Sequence, residues 1–406
     1  MWKRQNLQCA LLSAIVALLV VTAGWSQQSS IVWLGVLLNG SRSSALAVSA
    51  DGSVVVGWCH LAAGNYRAFR WTANGGMQDL GTLGGSSSYA YGVSSNGSIV
   101  VGLAYTHSGA YRAFRWENGT MHNLGTLGGD YSAAYDTSAD GSVIVGMAYD
   151  ADGRMRAVRW ASGTVQDLGT LGGNSGRANS VSANGLVVAG EATNNLEYSR
   201  AFRWQNGVMQ NLGTLGGAAS YGYSVSADGT TVVGQSRDHA GFLIAFHWTQ
   251  PTGMVALGTV GGTQSAATDV SADGSIVVGW SYNNAQMYRA FRWRRNHPIE
   301  DLNISYANLL TNGSILWSAN SISPDGRYIV GWGYNAARGR EEAFLLDTGF
   351  PLRGDVNRNG CVDDADLLRV LFAFGEQGYR NEDINWDGTI DDADLLIVLF
   401  NFGSGC

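Results

Sequence analysis

The sequence predicts an all-β fold, a seven-bladed β-propeller, followed by a small α-helical module. Three observations carry this. The phrase V-S-A-D-G, or a close variant, recurs at residues 48–52, 93–97, 137–141, 181–185, 225–229, 270–274 and 322–326. The phrase A-F-R-W, or a variant, ends at Trp71, Trp116, Trp160, Trp204, Trp248 and Trp293, in steps of 45, 44, 44, 44 and 45 residues. A period of that size is the mark of a repeat architecture. Finally, the last repeat lacks its L-G-T-L segment, while the chain offers an orphan copy, I-V-W-L-G-V-L, at residues 31–37.

One repeat reads as four short segments. In the second they are residues 90–94, the apolar run S-I-V-V-G-L-A at 98–104, the alternating Y-R-A-F-R-W at 111–116, and 121–127. Asn96-Gly97 and Asn118-Gly119 separate them, and such pairs mark hairpins because both turn residues tolerate positive φ. Segments of about 5–7 residues are strands rather than helices. The continuously apolar second strand needs cover on both faces, which neighbouring blades supply. An N-terminal strand that completes the last blade would join the ends of the ring and remove a sheet edge.

R-A-F-R-W, L-G-T-L-G-G and V-S-A-D-G together resemble the extracellular HAF-type repeat proteins of bacteria. The resemblance spans about residues 31–347 and says little about activity.

Composition narrows the function classes. Glycine is 56 of 406 residues, about twice the usual share, which suits tight turns and close packing near an axis. The net charge is −7 and no basic stripe exists to neutralise phosphates, which argues against nucleic acid. Residues 1–28 read as a secretory signal: Lys3 and Arg4, an apolar core at 11–21, then Ala23, Gly24 and Ser26. That apolar run is too short for a membrane span. The mature protein is expected to be secreted, extracellular or at the cell surface, and not membrane-spanning. Of its three cysteines, Cys59 lies on an apolar strand, while Cys361 and Cys406 bracket the C-terminal module and are the disulfide candidates.

The expected domains are the signal (1–28), the propeller (29–348), a linker (349–354) and the module (355–406). In the module one pattern appears twice, D-V-N-R-N-G-C-V-D-D-A-D from residue 355 and D-I-N-W-D-G-T-I-D-D-A-D from residue 383. Both fit an EF-hand-type calcium loop, with oxygen ligands at positions 1, 3, 5, 9 and 12, a backbone carbonyl at 7 and Gly at 6 for the turn. The ligands would be Asp355, Asn357, Asn359, Cys361 (backbone), Asp363 and Asp366 for one ion. Asp383, Asn385, Asp387, Thr389 (backbone), Asp391 and Asp394 would hold the second. Position 12 is Asp rather than Glu, and each loop has only an exiting helix, at 365–374 and 393–402. Two such halves resemble a dockerin type I module. The resemblance implies a cohesin-like protein partner, recognition at loop positions 10 and 11 (Asp364, Ala365, Asp392 and Ala393), and a place in polysaccharide catabolism. Cellulosomal versions often carry Ser or Thr at those positions, which this chain does not.

No catalytic residue is assigned in the ring. The six histidines are scattered, and neither a nucleophile elbow nor a phosphate-cradling loop occurs. Asp51, Asp140, Asp228, Asp273 and Asp325 fall in D-G turns and are explained by turn chemistry. Asp136 and Asp269 stand off the pattern on innermost strands and are expected to be solvated channel residues, as Glu191, Glu197 and Asp238 are in loops. The repeating arginines (Arg67 and Arg70 in the first repeat) are expected to tie blade to blade. The function that follows is a secreted, non-catalytic binding or structural propeller, anchored through a calcium-dependent module. The alternatives are a polysaccharide-degrading enzyme component (glycoside hydrolase or lyase) or a glycan-binding lectin. Near-perfect repetition leans against an enzyme, because an active site breaks symmetry.

Overall fold

The computed structural model describes residues 28–406; the expected signal lies outside the described residues but for its last position. Seven four-stranded antiparallel sheets follow one another around an axis. Blade two is representative, with strands Gly84–Val93, Ile99–Thr106, Tyr111–Glu117 and Thr120–Asn123. Blade one precedes it at residues 40–79, and blades three to six occupy 128–167, 172–211, 216–258 and 261–301. Blade seven is built from Ile315–Ile322, Tyr328–Asn335 and Arg340–Asp347, and its fourth strand is the N-terminal Ser30–Gly35. Ile31 pairs with Leu346 and Trp33 with Phe344, so the ring is closed by the two ends of the propeller.

The second strands are buried as their composition requires. Val55, Val56, Val100 and Val101 have no exposed surface. Each third strand contributes one fully buried large side chain between blades: Phe69, Phe114, Val158, Phe202, Phe246, Phe291 and Phe344. Burying a side chain of this kind stabilises by about 1.5–3 kcal/mol.

Adjacent blades interlock through the D-G and N-G turns. A Cβ on Gly97 would lie 2.4 Å from Val54 Cγ2 of the preceding blade, and one on Gly141 would lie 2.1 Å from Ile99 Cδ1. The same seating closes the ring, where Gly52 faces the Tyr328 ring of blade seven at 2.6 Å. Above these turns runs a belt of backbone bonds from blade to blade: Ala50 N–H to Ser95 O, Ser95 to Ala139, Ala139 to Ala183, Ala183 to Ala227, Ala227 to Ala272, and Ala272 to Pro324. Pro324 has no N–H with which to continue it.

Two strand expectations are corrected. L-G-T-L is not the fourth strand. The outer strand of blade two stops at Asn123, and residues 124–127 form the crossing to the next blade, where Thr126 Oγ1 accepts from Gly128 N. The innermost strands are longer than expected, because they begin at the G-G pair and run ten residues in blades two to six. Pairing with the second strand, interrupted by a bulge near the start, keeps the small residues after G-G extended. The segment between blades six and seven folds as a helical turn, α1 (Leu302–Ser305), and a 3-10 turn (Ala307–Leu309).

The C-terminal module holds two helices, α2 (Asp364–Phe372) and α3 (Asp392–Asn401). Its core is Leu352, Val356, Val362, Val370, Ala373, Ile390 and Val398. Leu352 belongs to the expected linker, so that segment is packed rather than free. The halves exchange backbone bonds: Val362 of the first loop pairs with residues 403–404, and Ile390 of the second pairs with Gly375 and Glu376. Cys361 and Cys406 form a disulfide, and Cys59 is buried and free. Among the described residues, no helix is long and apolar enough to cross a membrane.

Candidate functional site

The two acidic loops fold alike. Asp355 accepts from Asn359 N and Gly360 N, and Asp383 from Asp387 N and Gly388 N. The position-12 carboxylates reach back across each loop. Asp366 accepts from Asn357 N and Asp363 N, while Asp394 accepts from Ile384 N, Asn385 N and Asp391 N. Asp363 and Asp391 cap the helices through Ala365 N and Ala393 N. Gly360 and Gly388 take φ of 91° and 95° at the turn position, where a side chain would be strained.

Asp355, Asp366, Asp383 and Asp394 are all buried. Burial, reinforced by the charges of Asp394 and Asp387, pushes the Asp383 carboxyl up to about 7 against the bonds from Gly388 and Asp387. Burial likewise raises Asp355 and Asp394, each with a neighbouring carboxylate adding to it. Such groups repel one another until a cation or a proton intervenes. Among the described residues, no group of three or more His, Cys, Asp or Glu is drawn together as a metal cluster.

Asp364, Ala365, Asp392 and Ala393 are exposed in the first turns of α2 and α3. The outward helix faces beside them are apolar: Phe372 is 83% and Phe400 78% exposed, with Leu368, Leu371 and Leu396 about half so.

The opposite edge of the module sits on the ring. Arg358 and Trp386 occupy position 4 of their loops, both in the left-handed region. Trp386 is 4% exposed and packs on Ala50 and Ala272 at the channel mouth, with Tyr379 stacked on it. Arg358 pairs with Asp273 in the D-G turn of blade six at 2.8 Å. Burial opposes ionisation of Asp273, but the Arg358 charge and the bonds from Ser275 and Ser271 outweigh it and hold the carboxyl below its usual range. Below Trp386 lies a space of about 140 Å3 lined by Asp136, Ser180, Ser224, Asp269 and Ser321.

Asp136 and Asp269 are not solvated as expected. Asp136 accepts from Ser180 Oγ and Val181 N of the next blade and from Thr137 N of its own. Asp269 accepts from Ser321 Oγ and Ile322 N on one side and Ser224 Oγ on the other. They rivet blade three to four and blade six to its two neighbours. Burial raises both carboxyls, Asp136 to about 7.

The second arginine of the motif reaches the turn carbonyl of the next blade in blades one, two and four. In blade one, Arg70 donates to Gly97 O. Arg115 donates to Gly141 O at 2.6 Å and Arg203 to Gly229 O at 2.8 Å, and His247 faces Gly274 O in the same way. The motif tryptophans Trp71, Trp116, Trp160, Trp204 and Trp248 are buried and offer no stacking surface.

Glu191 corrects a further expectation. It lies within a second strand, not in a solvated loop, and is buried against Arg177 and Asn179. Burial raises its carboxyl, opposed by the Arg177 charge. Glu197 is exposed and accepts from Asn174 Nδ2, and Asp238 caps its turn by accepting from Phe242 N.

Closed ring, radial four-stranded sheets and inter-blade turn seating define the chain as a seven-bladed β-propeller with a helical module on its axis. No family model matches the sequence, and no curated protein matches it. Solved structures share the fold. The β-propeller domain of the Trilobed protease from Pyrococcus furiosus is 10% identical with a TM-score of 0.52, over 77% of this chain and 94% of that one. That domain has an open velcro topology, whereas here the N-terminal strand seals the ring. A puromycin hydrolase S511A mutant is 12% identical with a TM-score of 0.50, over 74% of this chain and 53% of that one. TolB from Acinetobacter baumannii is 13% identical with a TM-score of 0.42, over 76% of this chain; the match spans 63% of that protein's length.

Proposed function

We propose that this is an exported, non-catalytic binding propeller, anchored by a dockerin-like module that takes two calcium ions and docks on a cohesin-like protein domain. The observation that carries the reading is the two-sided module. One edge, through Arg358 and Trp386, is committed to the ring. The other presents exposed apolar helix faces beside Asp364-Ala365 and Asp392-Ala393. Monomeric proteins rarely leave such a patch open without a use for it.

The loop residues fit calcium. Each loop gathers carboxylate, amide and carbonyl oxygens, which a hard cation takes six to eight at a time. Buried carboxylates pushed toward their neutral form by each other are what a divalent ion relieves. Asp355, Asn357, Asn359, Asp363, Asp366 and the Cys361 carbonyl would hold one ion. Asp383, Asn385, Asp387, Asp391, Asp394 and the Thr389 carbonyl would hold the other. Asp363 and Asp391, now capping the helices, would share their second oxygen with the metal. HAF-type kinship of the ring, export and the polysaccharide setting belong to the same reading.

Calorimetry on the mature chain tests it, with two calcium ions expected and none after Asp383→Ala with Asp355→Ala. Binding to immobilised cohesin domains should require calcium and fail in Phe372→Ser with Phe400→Ser. A chain that ignores both calcium and EDTA refutes the anchoring role.

A further inference from the structure

The seven blades are near copies, so a register position where they disagree is informative. The residue that follows the V-V-G glycine faces the alanine of A-F-R-W in every blade. It is Trp58, Leu103, Met147, Glu191, Gln235, Trp280 and Trp332 in blade order. Three tryptophans therefore fall in blades six, seven and one, which are consecutive across the closure. A carboxylate and an amide fall in blades four and five, which precede blade six around the ring.

This position lies on the second strands, one strand out from the channel, and toward the side of the ring away from the module. Trp58 pairs with Ser44, six residues along the chain from the Ala50 that Trp386 covers. At about 3.3 Å per strand residue that is roughly 20 Å of chain. The three indoles are half-buried. Each is braced by an edge-to-face neighbour: Trp58 by Tyr66 at 5.2 Å, Trp280 by Tyr288 at 5.1 Å and Trp332 by Trp317 at 5.0 Å. Braced rings lose little side-chain entropy on binding, and Arg42 lies 6.0 Å over the Trp58 ring. In blade four, Arg177 and Glu191 neutralise one another, with Arg177 over the Tyr135 ring. The pair carries no net charge, and the two Glu191 oxygens are taken by Arg177 and Asn179.

The geometry points to a binding site for a neutral oligosaccharide on this far face, with Trp58, Trp280 and Trp332 as stacking platforms and Gln235 as a hydrogen-bond partner. Sugar rings present an apolar C–H face and a rim of hydroxyls, which matches flat aromatics beside paired polar groups. Packed sheets stand about 10 Å apart, so three indoles in series suit an extended chain rather than one sugar. The pairing of Arg177 with Glu191 disfavours a charged ligand. The inference rests on the reading of the ring as a binding platform and gives that platform its ligand class.

The test uses the mature chain with calcium and a panel of cello-, manno-, xylo- and laminari-hexaoses, read by calorimetry. At least one should bind, and Trp280→Ala and Trp332→Ala should each weaken it by about tenfold, as when a seated aromatic anchor is truncated. Trp58→Phe, which keeps the fill, should weaken it less, and Gln235→Ala should change which hexaose is preferred. Thermal unfolding of each variant checks that the ring is intact. Binding should persist in EDTA and in Phe372→Ser, so failure of the anchoring reading is seen separately. Binding to none of the hexaoses, binding only to uronic-acid polymers, or binding indifferent to all three tryptophan changes overturns the assignment.

Discussion

The blade interlock makes a sharp prediction through two glycines of the same blade. Gly97 and Gly119 both have positive φ, at 70° and 82°. An alanine in either must adopt the left-handed region, at a cost of about 1–2 kcal/mol. Around Gly119 there is open space, so Gly119→Ala should cost only that. At Gly97 the new Cβ would stand 2.4 Å from Val54 Cγ2 and 2.8 Å from Val54 Cβ. Valine is stiff about χ1 and its Cβ cannot rotate away, so the blades must part or the turn must shift. Forced overpacking of this kind adds about 1–3 kcal/mol. Gly97→Ala should therefore lose about 2–5 kcal/mol and Gly119→Ala about 1–2 kcal/mol. Urea unfolding of both variants beside the parent, followed by tryptophan fluorescence, gives the difference from the midpoints at a common m-value. Equal midpoints for the two variants would show that the turn glycines serve only their own backbone and that the seating between blades carries no energy.

Four further outcomes follow from the same contacts. The Asp136 carboxyl is raised from 3.8 to about 7, so its favourable contribution is full below about pH 4 and is lost as pH rises through about 7. Asp136→Ser, which installs the residue found there in blades four, five and seven, should flatten the fall of the thermal midpoint between about pH 4 and about pH 7, and an unchanged slope would refute the assignment. Loop two has four carboxylates against three in loop one, so Asp383→Ala should abolish the tighter calcium site in calorimetry and Asp355→Ala the weaker. Reducing the Cys361–Cys406 bond, which spans 45 residues of sequence, should lower the stability of the module by about 3–4 kcal/mol in a chemical-denaturation series, with no effect expected on ring unfolding. Deleting residues 30–35 should strip the fourth strand from blade seven and make protease cleavage near Arg340–Asp347 faster, because that strand then becomes an edge.

Much of the architecture was legible because repetition amplifies weak signals. One V-S-A-D-G is a turn; seven at even spacing are a ring. The closure was legible for a similar reason, since a strand missing at one end had an orphan copy at the other. The L-G-T-L segment misled because its leucines read as strand, whereas the turn bonds of Thr126 and the packing of Leu124 beside the neighbouring blade hold it as a crossing. The acidic loops were plain from spacing alone, because oxygen-bearing side chains alternate along one short turn.

The candidate site was less legible, and for a physical reason. Asp136, Asp269 and Glu191 look alike in sequence as acids off the pattern. Only the ring shows that the first two take hydrogen bonds from the next blade and that the third faces an arginine fourteen residues earlier. The divergent column of Trp58, Trp280 and Trp332 could have been found by aligning the repeats on the V-V-G glycine, but nothing local marks it as one face.

The sequence by itself determined the number of blades, the hairpin turns, the closing strand and the two acidic loops, since each is written in contiguous residues with a fixed period or spacing. Only the tertiary structure decided that Trp386 covers the channel, that Arg358 grips a turn of blade six, and that three tryptophans from repeats distant in the chain share one end of the axis. Those relations join residues far apart in the chain, and chain closure around an axis, not local propensity, brings them together.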